Sequence, residues 1–313
     1  MQLWQATRTQ GTQRRNHLSA GATLIQADAM NWLSVLPPCS LHAVVTDPPY
    51  GLIEYAARDH RKLRAGRGGV WRIPPVLDGV QRQPLPRFTV LSARELGALS
   101  EFFLVLGKAL HRALVPGAHL FVASNPLLST LTFHALQQAG LEKRGEVVRL
   151  VQTLRGGDRP KGAEAAYPEV CAMARSGWEP WGMFRKPLEG TVAANLKRWG
   201  TGALRRVSAT APFKDVIVSA PTGRVERAIA AHPSLKPQAF LRQLVRASLP
   251  LGAGIVYDPF AGSGSTLAAA QAVGYHALGT ERDPQYYRMG CKAFATLAAL
   301  EVRDGPQPSK ASR

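Results

Sequence analysis

Short apolar runs and amphipathic stretches alternate over most of this chain of 313 residues. The run "ATLIQ" is followed by Asp28 and then by apolar residues at Met30, Leu33 and Leu36, the spacing of a short helix that stops before Pro37-Pro38. "LHAVVTDPPY" reads as the next strand. From Ser92, "SARE" sets Glu95 three residues after the serine, a helix-starting pair, ahead of the apolar series Leu96, Leu99, Phe102, Phe103, Leu106 and Leu110; this helix is predicted to stop near Pro116-Gly117. "AHLFVAS" is a strand, "LLSTLTFHALQQAG" a helix ending at Gly140, and "EVVRLVQTL" a strand. Later the rhythm resumes: helix "QAFLRQLVRASL", strand "GIVYDPF", helix "STLAAAQAVG", strand "YHALGTE", final helix "PQYYRMGCKAFATLAAL". Such alternation predicts an α/β fold with a mostly parallel central sheet and helices on both faces.

Two stretches break the pattern. Residues 54–90 hold eight Arg or Lys residues, among them Arg61, Lys62, Arg64 and Arg67, amid glycines and prolines, and read as a long basic loop. Residues 155–231 are crowded with Gly, Pro, Trp and basic groups, and read as a substrate-facing insertion in the α/β domain. The expected organisation is a flexible basic arm (1–20), a first half of the domain (21–154), the insertion (155–231), a second half of the same domain (232–303) and a flexible tail (304–313).

Charge narrows the partner. Lys and Arg number 39 against 21 Asp and Glu, a formal net charge of +18, so a polyanion is expected: nucleic acid first, an anionic membrane surface second. Arg heavily outnumbers Lys, so a GC-rich genome is an alternative source of part of the excess. The three cysteines, Cys39, Cys171 and Cys291, are far apart and support neither a metal site nor a disulfide scaffold. No apolar stretch has signal-peptide or membrane-spanning length, which makes a cytoplasmic location the default and a membrane role unexpected.

Chemistry concentrates in two places. In "GIVYDPFAGSGSTLAAAQAVGYHALGTE" a strand enters a Gly-rich turn, then a helix, then a strand ending in Glu281. Gly262 and Gly264 permit a tight turn with close backbone approach, the helix N-terminus offers N–H groups to an anion, and an acidic residue about 20 positions on can hold ribose hydroxyls. "GSGST" lacks the third glycine of a dinucleotide fingerprint, and no Gly-Lys-Ser/Thr follows as in a phosphate loop. A carboxylate can therefore sit at the helix N-terminus, with Ser265 and Thr266 as donors. S-adenosylmethionine has such a carboxylate, with a ribose and an adenine. In "TDPPYG", Pro48 and Pro49 fix φ and remove donors, which leaves the carbonyls of Asp47 and Pro48 as acceptors beside the Tyr50 ring. The plainer alternative is a strand-ending turn with Tyr50 packed into the core.

Together "TDPPYG" and "DPFAGSGST" resemble the two signature motifs of the DNA amino-methyltransferases, which methylate adenine N6 or cytosine N4. The catalytic motif stands first and the cofactor motif near the C-terminus, which resembles the circularly permuted beta group of restriction-modification enzymes. "HPSLKPQAFLRQLV" is similar to that group's His-Pro-x-x-Lys-Pro segment, and "QADAMNWL" to its Gly-Asp-x-x-x-x-Leu segment, with Ala27 in place of glycine. The resemblance covers about residues 22–300 and implies a Rossmann-like S-adenosylmethionine-dependent methyltransferase fold acting on double-stranded DNA. It implies that the Asp47 side chain and the Pro48 carbonyl, in the Asp47-Pro48-Pro49-Tyr50 turn, accept hydrogen bonds from the target amino group, and that Tyr50 stacks on the flipped base. Asp28 would approach the cofactor adenine and Glu281 the ribose. Asp258 stands at the head of the cofactor motif, Phe260, Gly262 and Gly264 would line the methionine end, and Lys236 and Ser265 would bind the amino-acid part.

Arg61, Lys62, Arg64, Arg67, Arg155, Arg159, Lys161, Arg185 and Lys186 are the expected DNA contacts, with 155–231 as a target-recognition element. The tryptophans of that stretch, Trp178, Trp181 and Trp199, have a plainer reading as core or dimer contacts. Adenine N6 is favoured by Asp47, with cytosine N4 as the alternative. A homodimer and a cognate restriction endonuclease fit the same resemblance. Rival readings are methylation of RNA or protein, and a non-catalytic nucleic-acid binder.

Overall fold

A computed structural model of the chain describes residues 14–50, 76–77, 80–81, 91–151, 160, 162–163, 165–172, 174–232 and 234–302. Most of the basic loop, including Arg61, Lys62, Arg64 and Arg67, lies outside the described residues, as do Arg155, Arg159 and Lys161.

The elements run β1 (Arg15–Ser19), β2 (Ala22–Gln26), α1 (Ala29–Val35), β3 (Leu41–Thr46), the short hairpin β4 (Val76–Leu77) and β5 (Val80–Gln81), α2 (Ala93–Ala113), β6 (Leu114–Ala123), α3 (Ser129–Gln138) and β7 (Glu142–Leu150). They continue with β8 (Trp178–Arg185), α4 (Val192–Trp199), β9 (Val216–Val218), α5 (Arg224–Ile229), α6 (Gln238–Ser248), β10 (Ile255–Asp258), α7 (Ser265–Ala272), β11 (His276–Glu281) and α8 (Pro284–Ala299). Nine strands form one sheet in the order β1-β2-β11-β10-β3-β6-β8-β7-β9. From β2 to β6 every pairing is parallel, β1 and β8 run against their neighbours, and β9 is parallel to β7.

Strand periodicity divides the core into two layers. Ala43 and Val45 of β3 face the cluster that holds Phe240, Leu244 and Phe294, whereas Val44 faces the cluster of Trp32, Phe103, Leu110 and Phe133. Alternate residues point to opposite faces, so a strand buried on both sides must be apolar at every position, as "AVV" is. Helices α6, α7 and α8 cover one face and α1, α2 and α3 the other.

The α2 start is as expected: Ser92 accepts from the Glu95 amide, and the Glu95 carboxylate accepts from the Ser92 amide at 2.8 Å. Its end comes earlier, at Ala113, with Leu114 already extended. Pro116 pushes the residue before it out of the helical region, and Gly117 takes φ +77°, so the last helical turn has no continuation.

The stretch 155–231 differs more. Rather than standing apart as an insertion, it gives the sheet β8, set between β6 and β7, and the edge strand β9. Trp181 and Phe184 of β8 are fully buried, so Trp181 closes the core. The sequence "WEPWGMFR" hides this strand because Pro180 and Gly182 argue against a central one. Gly182 is required: a Cβ there would lie 2.7 Å from the Phe133 ring and 2.6 Å from Phe184.

Candidate active site

The chain leaves the adjacent strands β3 and β10 in opposite directions, through α2 to β6 on one side and through α7 to β11 on the other. In a parallel sheet that reversal opens a crevice outside the C-terminal strand ends. The turn Asp47-Pro48-Pro49-Tyr50 leaves β3 there and the Gly-rich turn leaves β10.

Asp258 ties the two turns together. Its Oδ1 accepts from the Thr46 hydroxyl at 2.7 Å and from the Phe260 amide at 3.0 Å, and its side chain is also hydrogen-bonded to Thr266. Burial pushes its carboxyl up to about 6, against these three bonds and with some help from the Asp47 charge. Thr266, expected as a cofactor donor, thus has its side chain engaged by Asp258. Gly262 and Gly264 have φ +51° and +78°, and a Cβ on Gly262 would meet the His232 ring at 3.0 Å. Behind them, Gly290 of α8 lets the helix approach closely, since a Cβ there would be 3.2 Å from the Gly262 carbonyl.

Glu281 holds the Gly-rich turn from β11. Its Oε2 accepts from the Gly262 amide at 2.8 Å and Oε1 from the Asp283 amide at 2.7 Å, while burial raises its carboxyl above the usual range. Each oxygen keeps a second lone pair for a ribose hydroxyl. Asp28 caps α1, accepting from the Met30 amide at 3.0 Å and the Asn31 amide at 3.2 Å. Through β2 it stands beside Glu281, whose carbonyl accepts from the Ala27 amide at 3.1 Å. Gly264 caps α7 without a side-chain bond, and Gln238 braces the first turn by donating to the Ser265 carbonyl at 2.9 Å.

Between the turns lies a cleft with about 340 Å³ of empty space, open to solvent, lined by Asp47, His232, Lys236, Phe260, Gly262 and Ser265 among others. His232 belongs to the cleft although only its place in the His-Pro segment signals it. Its Nδ1 accepts from the Ser234 amide at 3.2 Å and its ring meets Tyr286 edge-on at 4.3 Å. Burial, then the Lys236 charge, lowers it to about 4 despite Asp283, so the ring is neutral near pH 7.

Lys236, expected at the amino-acid end of a cofactor, lines the cleft with Gly262 and Ser265 and also reaches the Asp47 turn. Its Nζ donates to Asp47 Oδ2, lies 3.8 Å from Glu179 Oε1 and stands 5.8 Å from the centre of the half-buried Tyr50 ring. Asp47 Oδ1 is buried and has no hydrogen-bond partner among the described residues. A buried acceptor left unpaired costs about 1–3 kcal/mol.

The expected DNA contact Arg185 is corrected by the structure. Arg185 is buried in β8 and bonds Glu142 Oε2 at 2.6 and 3.0 Å and the Gly202 carbonyl at 3.2 Å. Lys186 is half-buried and donates to the Leu114 carbonyl at 2.7 Å. Arg185 is bound into the fold because β8 is an inner strand.

Residues 189–292 match the DNA methylase family of N6/N4 methyltransferases. Curated relatives align over stretches of similar length. The DNA adenine methyltransferase YhdJ of Escherichia coli K12 is 44% identical over 90 residues, and the type II methyltransferase M2.DpnII of Streptococcus pneumoniae is 34% identical over 80. Each alignment takes in 26% of this chain and 30% of the relative, so the chain spans under a third of the length of the curated relatives it matches. Solved structures align far more widely. TTHA0409 of Thermus thermophilus, complexed with S-adenosylmethionine, has a TM-score of 0.51 at 20% identity, covering 90% of this chain and 97% of that one. The cytosine-N4-specific PvuII DNA methyltransferase has a TM-score of 0.57 at 13% identity, covering 91% and 89%. The fold is that of the S-adenosylmethionine-dependent DNA methyltransferases. Among the described residues no helix is long and apolar enough to cross a membrane.

Proposed function

We propose that this protein transfers a methyl group from S-adenosylmethionine to the exocyclic amino group of a base flipped out of duplex DNA, adenine N6 in preference to cytosine N4. The observation that carries the reading is Asp47 Oδ1, a buried acceptor without a hydrogen-bond partner among the described residues, on a side chain that lines the Gly-rich cleft. An exocyclic amine is a weak nucleophile because its lone pair is delocalised into the ring. Hydrogen bonds from its N–H groups to Asp47 and to the Pro48 carbonyl draw the nitrogen toward tetrahedral geometry and direct the lone pair outward. Tyr50 supplies a stacking surface worth about 1–3 kcal/mol against the few kcal/mol that unstacking a base costs.

The residues present fit the cofactor. The α7 amides and Ser265 suit its carboxylate, Glu281 its ribose, and Asp28 the adenine edge on the neighbouring strand. When bound, S-adenosylmethionine supplies a methyl group on a sulfonium, an electrophile that transfers without a metal. The new N–C bond forms as the C–S bond breaks, and the amine gives up one proton. Asp47 and the 44% identity to an adenine methyltransferase over 90 residues support adenine. Activity on chromosomal DNA would place the protein in the cytoplasm. A homodimer and a cognate restriction endonuclease belong to the same reading.

The test is incubation of the purified protein with duplex DNA and methyl-labelled S-adenosylmethionine, followed by nucleoside mass spectrometry. N6-methyladenine is the expected product; N4-methylcytosine would shift the base, and label in RNA or protein alone would overturn the reading.

A further inference from the structure

Asp47, Lys236, Glu179 and Arg149 form a line of alternating charge, the two cations buried and the two carboxylates half-buried, and Glu179 and Arg149 belong to segments with no catalytic motif. The Lys236 ammonium holds Asp47 Oδ2 and lies 3.8 Å from Glu179 Oε1. Glu179 is itself fixed at both oxygens, since Oε1 accepts from Trp181 Nε1 at 2.8 Å and Oε2 from Arg149 Nη1 at 3.2 Å. Arg149 is locked in turn by the Ser219 hydroxyl and the Ala220 carbonyl, each at 3.0 Å, with its guanidinium 5.0 Å from the centre of the Phe240 ring. The line joins β7, β8 and the segment before α6 to the end of β3.

We infer that Lys236 and Glu179 are positioning residues that act through Asp47: the lysine pins Oδ2, so that Oδ1 alone is presented to the incoming amine, and Glu179 sets where the lysine stands. This rests on Asp47 being the amine acceptor. A carboxylate on two free torsions would sample many orientations, whereas one oxygen tethered to a buried ammonium leaves the other with a fixed direction. Two positive and two negative charges balance along the line, which allows its cations to stay buried while Oδ1 is left to the substrate. Lys236 is therefore assigned to the acceptor carboxylate.

The first arm of the test needs no DNA. Lysine-ammonium NMR of the free protein should show a slowly exchanging Lys236 signal that disappears in Lys236→Met and shifts in both Asp47→Ala and Glu179→Gln; a signal unmoved by Glu179→Gln overturns the inference. The second arm is single-turnover methyl transfer on duplex DNA. Lys236→Met should slow transfer about 100-fold, the scale of a roughly 1 Å misplacement, with S-adenosylmethionine and DNA affinities within a few-fold. Glu179→Gln should slow transfer about tenfold, and add nothing on the Lys236→Met background. Loss of cofactor affinity matching the rate loss, or additive effects in the double variant, overturns the inference. A wild-type protein that methylates no DNA would defeat the proposed activity, and the NMR arm would still decide the geometry.

Discussion

Thr46→Val removes one hydroxyl from the bridge between the two strand ends and leaves the β-branched shape in place. Thr46 is 1% exposed and donates at 2.7 Å to Asp258, which is itself 3% exposed. A hydrogen bond to a charged group is worth about 1.5–3 kcal/mol, and one between neutral groups about 0.5–1.5 kcal/mol, so the cost depends on whether Asp258 is ionised. The sign follows from linkage. The Asp258 carboxyl is raised from 3.8 to about 6 in the folded protein, so the folded state holds its proton more tightly. Its contribution to stability is fully present below 3.8 and is lost as pH rises through about 6. Removing a donor to the ionised form pushes the folded value higher still, and the variant goes on losing stability where the wild type has levelled off.

Urea unfolding should therefore show Thr46→Val destabilised by about 1 kcal/mol near about pH 5 and by about 2–3 kcal/mol near about pH 8, with the slope against urea unchanged. Comparing variant with wild type at each pH cancels the opposite trend from His232, whose ring, lowered to about 4, costs stability as pH falls from 6.5. An equal penalty at both pH values would refute the account of Asp258 as a buried carboxylate held by Thr46.

Asp47→Ala should lower methyl transfer at least about 100-fold while leaving S-adenosylmethionine affinity within a few-fold by isothermal titration, because the lost oxygen faces the amine. Parallel loss of binding would mean that the turn belongs to the cofactor. Gly262→Val should abolish cofactor binding, since φ is +51° and the first side-chain carbon already meets the His232 ring at 3.0 Å; titration with retained affinity would remove the Gly-rich turn from the site. Exchange of residues 155–231 for those of a relative with another recognition sequence should unfold the protein, because β8 lies inside the sheet. Exchange of 152–177 alone should keep the fold and alter which sites are methylated. Thermal unfolding and sequencing of methylated DNA check the pair, and a stable chimera of the longer exchange would contradict the strand's place.

What local chemistry encodes was legible in the chain. The Ser92–Glu95 capping pair, the Pro stop after α2 and the strand-turn-helix-strand run through Gly262 and Gly264 all act within a few residues, and the structure has them where the letters put them, but for the few residues by which α2 ends early. Long-range pairing was not legible. β8 carries Pro180 and Gly182, whose local preferences oppose an inner strand, and only the Phe133 ring from α3 and the neighbouring Phe184 explain why the glycine is needed. Arg185 looked like a surface base because its partner, Glu142, lies 43 residues away on β7. The Lys236–Asp47 pair was not legible either, because nothing in the lysine's own segment shows Asp47, 189 positions earlier.

The separation of the two motifs along the chain has a structural resolution in the sheet. Val256 and Tyr257 of β10 pair with Ala43 and Val44 of β3, so the strand that opens the Gly-rich turn and the strand that opens the Asp47 turn end side by side. A parallel sheet needs only that adjacency: the crevice arises wherever neighbouring strands send their chains to opposite sides, whichever strand is synthesised first. Either motif could therefore come first along the chain without moving a reacting atom. The supports are less free. Lys236 reaches Asp47 from the approach to α6, and Glu179 reaches that lysine from β8 because β8 runs antiparallel between β6 and β7, which brings its N-terminal half to the same edge of the sheet as the C-terminal end of β3. The position of β8 thus sets Glu179, through Lys236, beside the Asp47 turn while Trp181 of the same strand closes the core.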